Sequence, residues 1–186
     1  TLSPSNPDPS EHFGTSLAMQ GSRIVVGAPD WDGLADNLGV RPADQGRAFV
    51  FDFNGSNWLR MARLTADGGL TLADAAPEGN KGDHFGASVA LDGRYVVVGA
   101  PDVDGRANDI GAAYMFQELL DQGVSHGSSW LRSSGSSGSG RVQAKTPAGD
   151  DPDAPLADHF GTSVAIGGGR VAIGLPGYNE TLGNQI

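Results

Sequence analysis

The nineteen residues from His12 to Asp30, HFGTSLAMQGSRIVVGAPD, return twice along the chain: as HFGASVALDGRYVVVGAPD at 84–102 and as HFGTSVAIGGGRVAIGLPG at 159–177. The leading histidines, His12, His84 and His159, stand 72 and 75 residues apart. No other feature restricts the fold as strongly. A unit of this length is a whole supersecondary module, and such a module covers its apolar faces with its neighbours.

Each unit reads as four strands. The first (GTSLAM, GASVAL or GTSVAI) alternates small with aliphatic residues. The second (RIVVGAP, RYVVVGAP or RVAIGLP) is almost continuously apolar, as expected of a strand covered on both faces. Turns of the type QGSR, LDGR and GGGR join the two, with glycine to accept positive φ. The third strand, GRAFVFDF or GAAYMFQE, alternates small with aromatic residues. The fourth is NWLRMARLTA and, less regularly, the stretch from Trp130 to Thr146. With 29 Gly and 11 Pro, the composition also favours short strands and turns. The fold class is therefore all-β, and a four-stranded antiparallel meander at a regular period is the blade of a β-propeller. An up-and-down barrel or a sandwich with chance self-similarity is the alternative.

The paired elements resemble the FG-GAP repeat, which occurs in the propeller of integrin α subunits and in many secreted microbial proteins. The residues carrying the resemblance are His12, Phe13, Gly14, Gly27 and Pro29, then His84, Phe85, Gly86, Gly99 and Pro101, then His159, Phe160, Gly161, Gly174 and Pro176. It implies that these positions are structural. It covers nearly all of residues 1–186, in units of approximately 12–66, 84–146 and 159–186, as two full blades plus half of a third. A closed ring takes about 4–8 blades. The expected partners of the end blades are the remainder of the same propeller or further copies of the chain. Within the fourth strand of the second unit, SSGSSGSGR (133–141) has the composition of a flexible linker.

In an up-and-down meander, the long second-to-third and fourth-to-first connections gather on one face of the propeller. They hold most of the 22 acidic residues of a chain whose formal charge is −10. Among them are Asp44, Asp74, Glu78, Asp83, Asp150, Asp151, Asp153 and Asp158. Long loops on a rigid scaffold are where binding concentrates, so this acidic face is the expected binding surface for a protein or glycan. Solvation of a secreted protein is the plainer reading. The charge argues against nucleic acid, which needs clustered Lys/Arg. No run approaches the roughly 18 apolar residues of a membrane span.

Just after Gly-Ala-Pro, DWDGLADN (30–37) and DVDGRAND (102–109) share the pattern Asp-x-Asp-Gly. Asp30, Asp32, Asp36, Asp102, Asp104 and Asp109 are candidate Ca²⁺ ligands, since Ca²⁺ collects 6–8 oxygens; an Asx turn capping the second strand is the other reading. In the integrin repeat the Ca²⁺ loop lies between Phe-Gly and Gly-Ala-Pro. Here that interval is a tight hairpin with at most Asp92, and those ligands have no counterparts. His12, His84 and His159 each follow an acidic residue. They form either a ring suited to a transition metal or a pH response, or a packed element bonded to the neighbouring carboxylate or a backbone carbonyl.

There is no Cys, no Gly-x-Ser-x-Gly, no His-Glu-x-x-His and no phosphate loop. The expected function is a non-enzymatic, extracellular or cell-surface binding or adhesion propeller, assisted by Ca²⁺ if the acidic loops hold it. Self-assembly by completing blades between copies is the alternative, and an accessory domain of a larger secreted enzyme is the second alternative.

Overall fold

A computed structural model describes residues 2–3, 9–33, 43–66, 82–104, 109–119, 129–132, 141–142 and 158–177, and among these residues all regular structure is β. The repeated stretch folds as a hairpin each time. β1 (Ser16–Gln20) turns into β2 (Arg23–Ala28), β5 (Ser88–Asp92) into β6 (Tyr95–Ala100) and β10 (Val164–Gly167) into β11 (Arg170–Ile173). The closing pairs are Gln20↔Arg23, Asp92↔Tyr95 and Gly167↔Arg170, so each loop has two residues. Its first position has φ of 59°, 57° or 56°, at Gly21, Gly93 and Gly168 respectively. That left-handed conformation matches hairpin turn geometry to strand twist.

The first unit continues through β3 (Arg47–Phe53) and β4 (Trp58–Leu64), giving an antiparallel sheet in the order β1-β2-β3-β4. The second continues through β7 (Ala112–Leu119) and β8 (Ser129–Arg132), with β9 (Arg141–Val142) also on β7. These are two four-stranded propeller blades followed by the inner hairpin of a third.

The irregular fourth strand has a local explanation. In the first blade, Trp58-Leu59-Arg60 pairs with Phe53 to Phe51, the register slips between Val50 and Phe51, and Arg63-Leu64 pairs with Phe49 and Ala48. In the second, Trp130-Leu131-Arg132 pairs with Glu118 to Phe116, and Arg141-Val142 with Tyr114 and Ala113. In the order of the chain, residues 133–140 therefore correspond to Met61-Ala62 of the first blade, next to its bulge. A bulge already leaves a residue unpaired, and the pairs on either side of this point keep the same register relative to β7 as their counterparts keep to β3. Arg141, expected within the linker-like insert, belongs to β9.

Alternation along the strands divides the side chains between two blade faces. Val25, Ala48 and Val50 of the first blade pack against Phe85, Val96, Val98, Tyr114 and Phe116 of the second. Val97, Ala113 and Met115 point the other way, against Phe160, Val164, Ile166 and Ile173 of the third unit. The continuous apolar run of β6 follows directly, because both faces of that strand meet a blade. The innermost strands lie closest across the junctions, β1 to β5 and β5 to β10.

The outer face of the first blade is partly self-covered. Phe49 and Phe51 are buried beneath Phe13 and its neighbours. Leu17 and Met19 on β1 remain 63% and 70% exposed.

Candidate functional site

The junction between blades is built by the repeated dipeptides. Phe85 is fully buried, with its ring centroid 5.3 Å from Tyr114 and 6.0 Å from Phe116. The glycine after it, Gly86, lies against the first blade, where its carbonyl accepts a 2.7 Å hydrogen bond from Ser16 Oγ. Gly161 meets Ser88 Oγ identically, at 2.7 Å. Gly27 and Gly99 face these incoming carbonyls so closely that a methyl group on either would overlap Gly86 or Gly161. Short parallel bridges, Gly46↔Phe85 and Gly111↔Phe160, complete the seam. Thus Phe-Gly of one blade docks on the Gly-Ala-Pro glycine of the blade before it. Among the described residues, Gly14 has no atom within 4 Å of such a methyl position, and the three atoms nearest to that of Gly174 all belong to Ser163.

The seam positions the loop side chains. His12, His84 and His159 all have left-handed φ, 48°, 51° and 50°, and so do Asp44 and Asp109, 54° and 55°. Such backbone costs energy for a residue with a Cβ and persists where surrounding structure fixes it. Here the fixing bonds are visible: the amides of His84 and His159 donate to the carbonyls of Asp44 and Asp109, at 3.0 and 3.1 Å.

The imidazoles and the first Asp after each Gly-Ala-Pro form an alternating row across the blades. Asp30 Oδ2 contacts His12 Nδ1, and Asp30 Oδ1 lies 3.6 Å from His84 Nε2. Asp102 is 2.7 Å from His84 Nδ1 and 2.8 Å from His159 Nδ1. Each aspartate therefore links two blades. Where the third unit replaces this Asp by Gly177, His159 pairs with Asp102 of the preceding blade.

Two expectations change. His12 and His159 are hydrogen-bonded to Asp30 and Asp102, and His84 lies against both of these aspartates, so the carboxylates they meet are not those of the residue preceding each of them. Asp83 and Asp158, expected on the exposed acidic face, are each only 3% exposed. Both point inward because the chain enters the first strand through a buried junction, as does Glu11, which receives a 2.7 Å hydrogen bond from Arg47 Nε. Asp32 and Asp104 accept backbone N–H bonds from Asp44 (3.3 Å) and Asp109 (3.2 Å), which lie 12 and 5 residues further along the chain, so these bonds close the whole connection and are not Asx turns. Asp44 and Asp109 are half-buried beside the row. Asp36, Asp74, Glu78, Asp150, Asp151 and Asp153 lie outside the described residues.

Away from the row, two arginines fasten the scaffold. Arg47 stacks on Trp31 and Phe49, and its burial lowers its pKa while Glu11 opposes that shift. Arg23 joins Asp52 of its own blade to Glu118 of the next, with bonds of 2.6–2.9 Å, and lies over Trp130. The Asp52 hydrogen bond, against the opposing effect of burial and with help from Glu118, holds its pKa above the ordinary arginine value. On the hairpin-turn side, Gln20 bonds Asp92 and the Gly93 amide.

The meeting of Asp44 with His84 was not foreseen from sequence. The available signal was Gly46 and Gly111, which precede the third strand in both units and mark a close backbone approach. Residues 1–51 and 75–116 match the family model described as the FG-GAP repeat. No curated protein matches the chain.

Proposed function

The chain belongs to the FG-GAP repeat family, whose model covers half of it, and from that premise we propose a non-enzymatic, extracellular or cell-surface binding propeller that engages a protein or glycan through its acidic loop face. The observation carrying this reading is the His12–Asp30–His84–Asp102–His159 row. It consists of loop side chains of three successive units, held on one side of the seams by backbone bonds. Polar groups at fixed spacing on a rigid frame suit recognition, because little ordering is left for the ligand to impose. The net charge of −10 favours cationic or cation-bridged ligands.

The test is binding of the chain and its Asp30→Asn/Asp102→Asn variant to arrays of surface proteins and glycans. The reading expects the variant to lose at least tenfold in affinity with its melting temperature unchanged. Equal binding by both chains would move the function off this face.

A second reading, self-assembly, is supported by Gly14 and Gly174, where, among the described residues, no atom of another unit is among the three nearest within 4 Å of a methyl position. It expects concentration-dependent association that a Gly174→Val change abolishes; a monomer at all concentrations would exclude it.

A further inference from the structure

We propose that Asp30, Asp44 and His84 form a site for a divalent transition ion, best matched by Zn²⁺, at the junction of the first two blades. One donor atom from each lies within 4.8 Å of the others. The His84 Nε2 to Asp30 Oδ1 distance is 3.6 Å. Two donors on a tetrahedral zinc, with bonds of about 2.0–2.2 Å, stand roughly 3.4 Å apart. The pair is therefore already near ligand spacing.

A carboxylate stands within reach of the other side of the imidazole. The other ring nitrogen of His84, Nδ1, is buried and lies 2.7 Å from Asp102 Oδ2 without the alignment of a hydrogen bond, so a small turn of the ring would pair the two. A carboxylate on the far nitrogen commonly fixes the tautomer and orientation of a metal-bound histidine. The Asp30 Oδ2 atom is engaged by His12, leaving Oδ1 toward the site. Asp44 and His84 come from different blades, yet the His84 amide donates to the Asp44 carbonyl, and the Asp44 amide donates to Asp32. These backbone bonds hold the ligand-bearing residues side by side across the junction.

Donor chemistry selects the ion class. One imidazole nitrogen and two carboxylates suit Zn²⁺ and its neighbours, whereas Ca²⁺ takes 6–8 oxygens. Two carboxylates also balance the charge of the ion. Three protein donors leave one tetrahedral position for water or a ligand oxygen. The second junction is a natural control: His159 Nδ1 is committed to Asp102 at 2.8 Å, and no matching triad gathers there among the described residues.

Calorimetric titration of the full chain with Zn²⁺, and with Co²⁺ for its visible d–d absorption, tests the assignment. The expected result is saturation at one ion per chain, a tetrahedral Co²⁺ spectrum, and no displacement of Zn²⁺ by equimolar Ca²⁺. Asp44→Asn and His84→Asn should each lower affinity at least tenfold; Asn accepts left-handed φ, which preserves the loop. Asp30→Asn, at an ordinary φ, gives the same comparison if either variant is unfolded by circular dichroism. His159→Asn should leave binding intact. The proposal is overturned if the native chain fails to bind Zn²⁺, if the folded triad variants bind it undiminished, if equimolar Ca²⁺ displaces it, or if His159→Asn weakens binding equally.

Discussion

Replacing Gly27 by alanine tests the seam directly. Gly27 is in a strand without positive φ, and alanine there should by itself stabilise by about 0.5–1 kcal/mol through the unfolded chain. The structure predicts the opposite sign. The new methyl would sit 2.0 Å from the Gly86 carbonyl oxygen, which belongs to the next blade. Restoring an ordinary C···O separation of about 3.3 Å moves that backbone by roughly 1.3 Å. Overpacking of this kind costs about 1–3 kcal/mol, and loss of the Ser16–Gly86 hydrogen bond about 1 more. The net expectation is a destabilisation of about 1–3.5 kcal/mol. Gly99→Ala repeats the test, with Gly161 O at 1.9 Å. At Gly174 the three nearest atoms among the described residues belong to Ser163, whose hydroxyl can rotate away, so Gly174→Ala should lie within about 0.5 kcal/mol of neutral. Urea unfolding followed by tryptophan fluorescence reads the difference, because Trp31 and Trp130 are both buried. With a slope near 2 kcal/mol/M, the two substitutions should separate by about 1 M in midpoint. Equal midpoints for Gly27→Ala and Gly174→Ala in the dilute chain would refute the account of the seam.

Other perturbations follow from the same contacts. Phe85→Ala should cost about 3–5 kcal/mol in denaturant unfolding, and Phe13→Ala less, since Phe13 is only partly buried. Arg47→Met should cost about 3–5 kcal/mol by stranding buried Glu11, and Arg47→Met/Glu11→Leu should recover most of that loss in a melting comparison. Exchanging residues 133–140 for Met-Ala, as in the first blade, should stabilise by about 1 kcal/mol through the shorter loop, measured as a higher urea midpoint.

The inner strands and turns were legible because hairpin and blade leave direct sequence marks: glycine at the turn, alternation on β5, a continuous apolar run on β6. The site was less legible because it is made between units. Asp44 and His84 are adjacent only after two blades dock, and no spacing within one unit encodes that meeting. The inward turn of Asp83 and Asp158 was hidden for a related reason. An acidic residue in a polar loop reads as solvent-facing until the buried entry to β5 or β10 is seen. The link from Arg23 to Glu118 likewise depends on which faces of two separate sheets come together.

The seam also bears on how such a protein can vary. Each unit carries a Phe-Gly tongue on one side and a glycine-and-serine slot on the other, so two like ends do not mate. Every seam is written in sequence that travels with its unit. Duplication, loss or exchange of a whole unit therefore changes the number of blades without a new interface having to arise. The loops beyond the seam can diverge in parallel, as the eight residues that correspond in chain order to Met61-Ala62 already do. Copy number and loop content become two separate axes of inheritance, the first set by nineteen shared residues and the second left open by them.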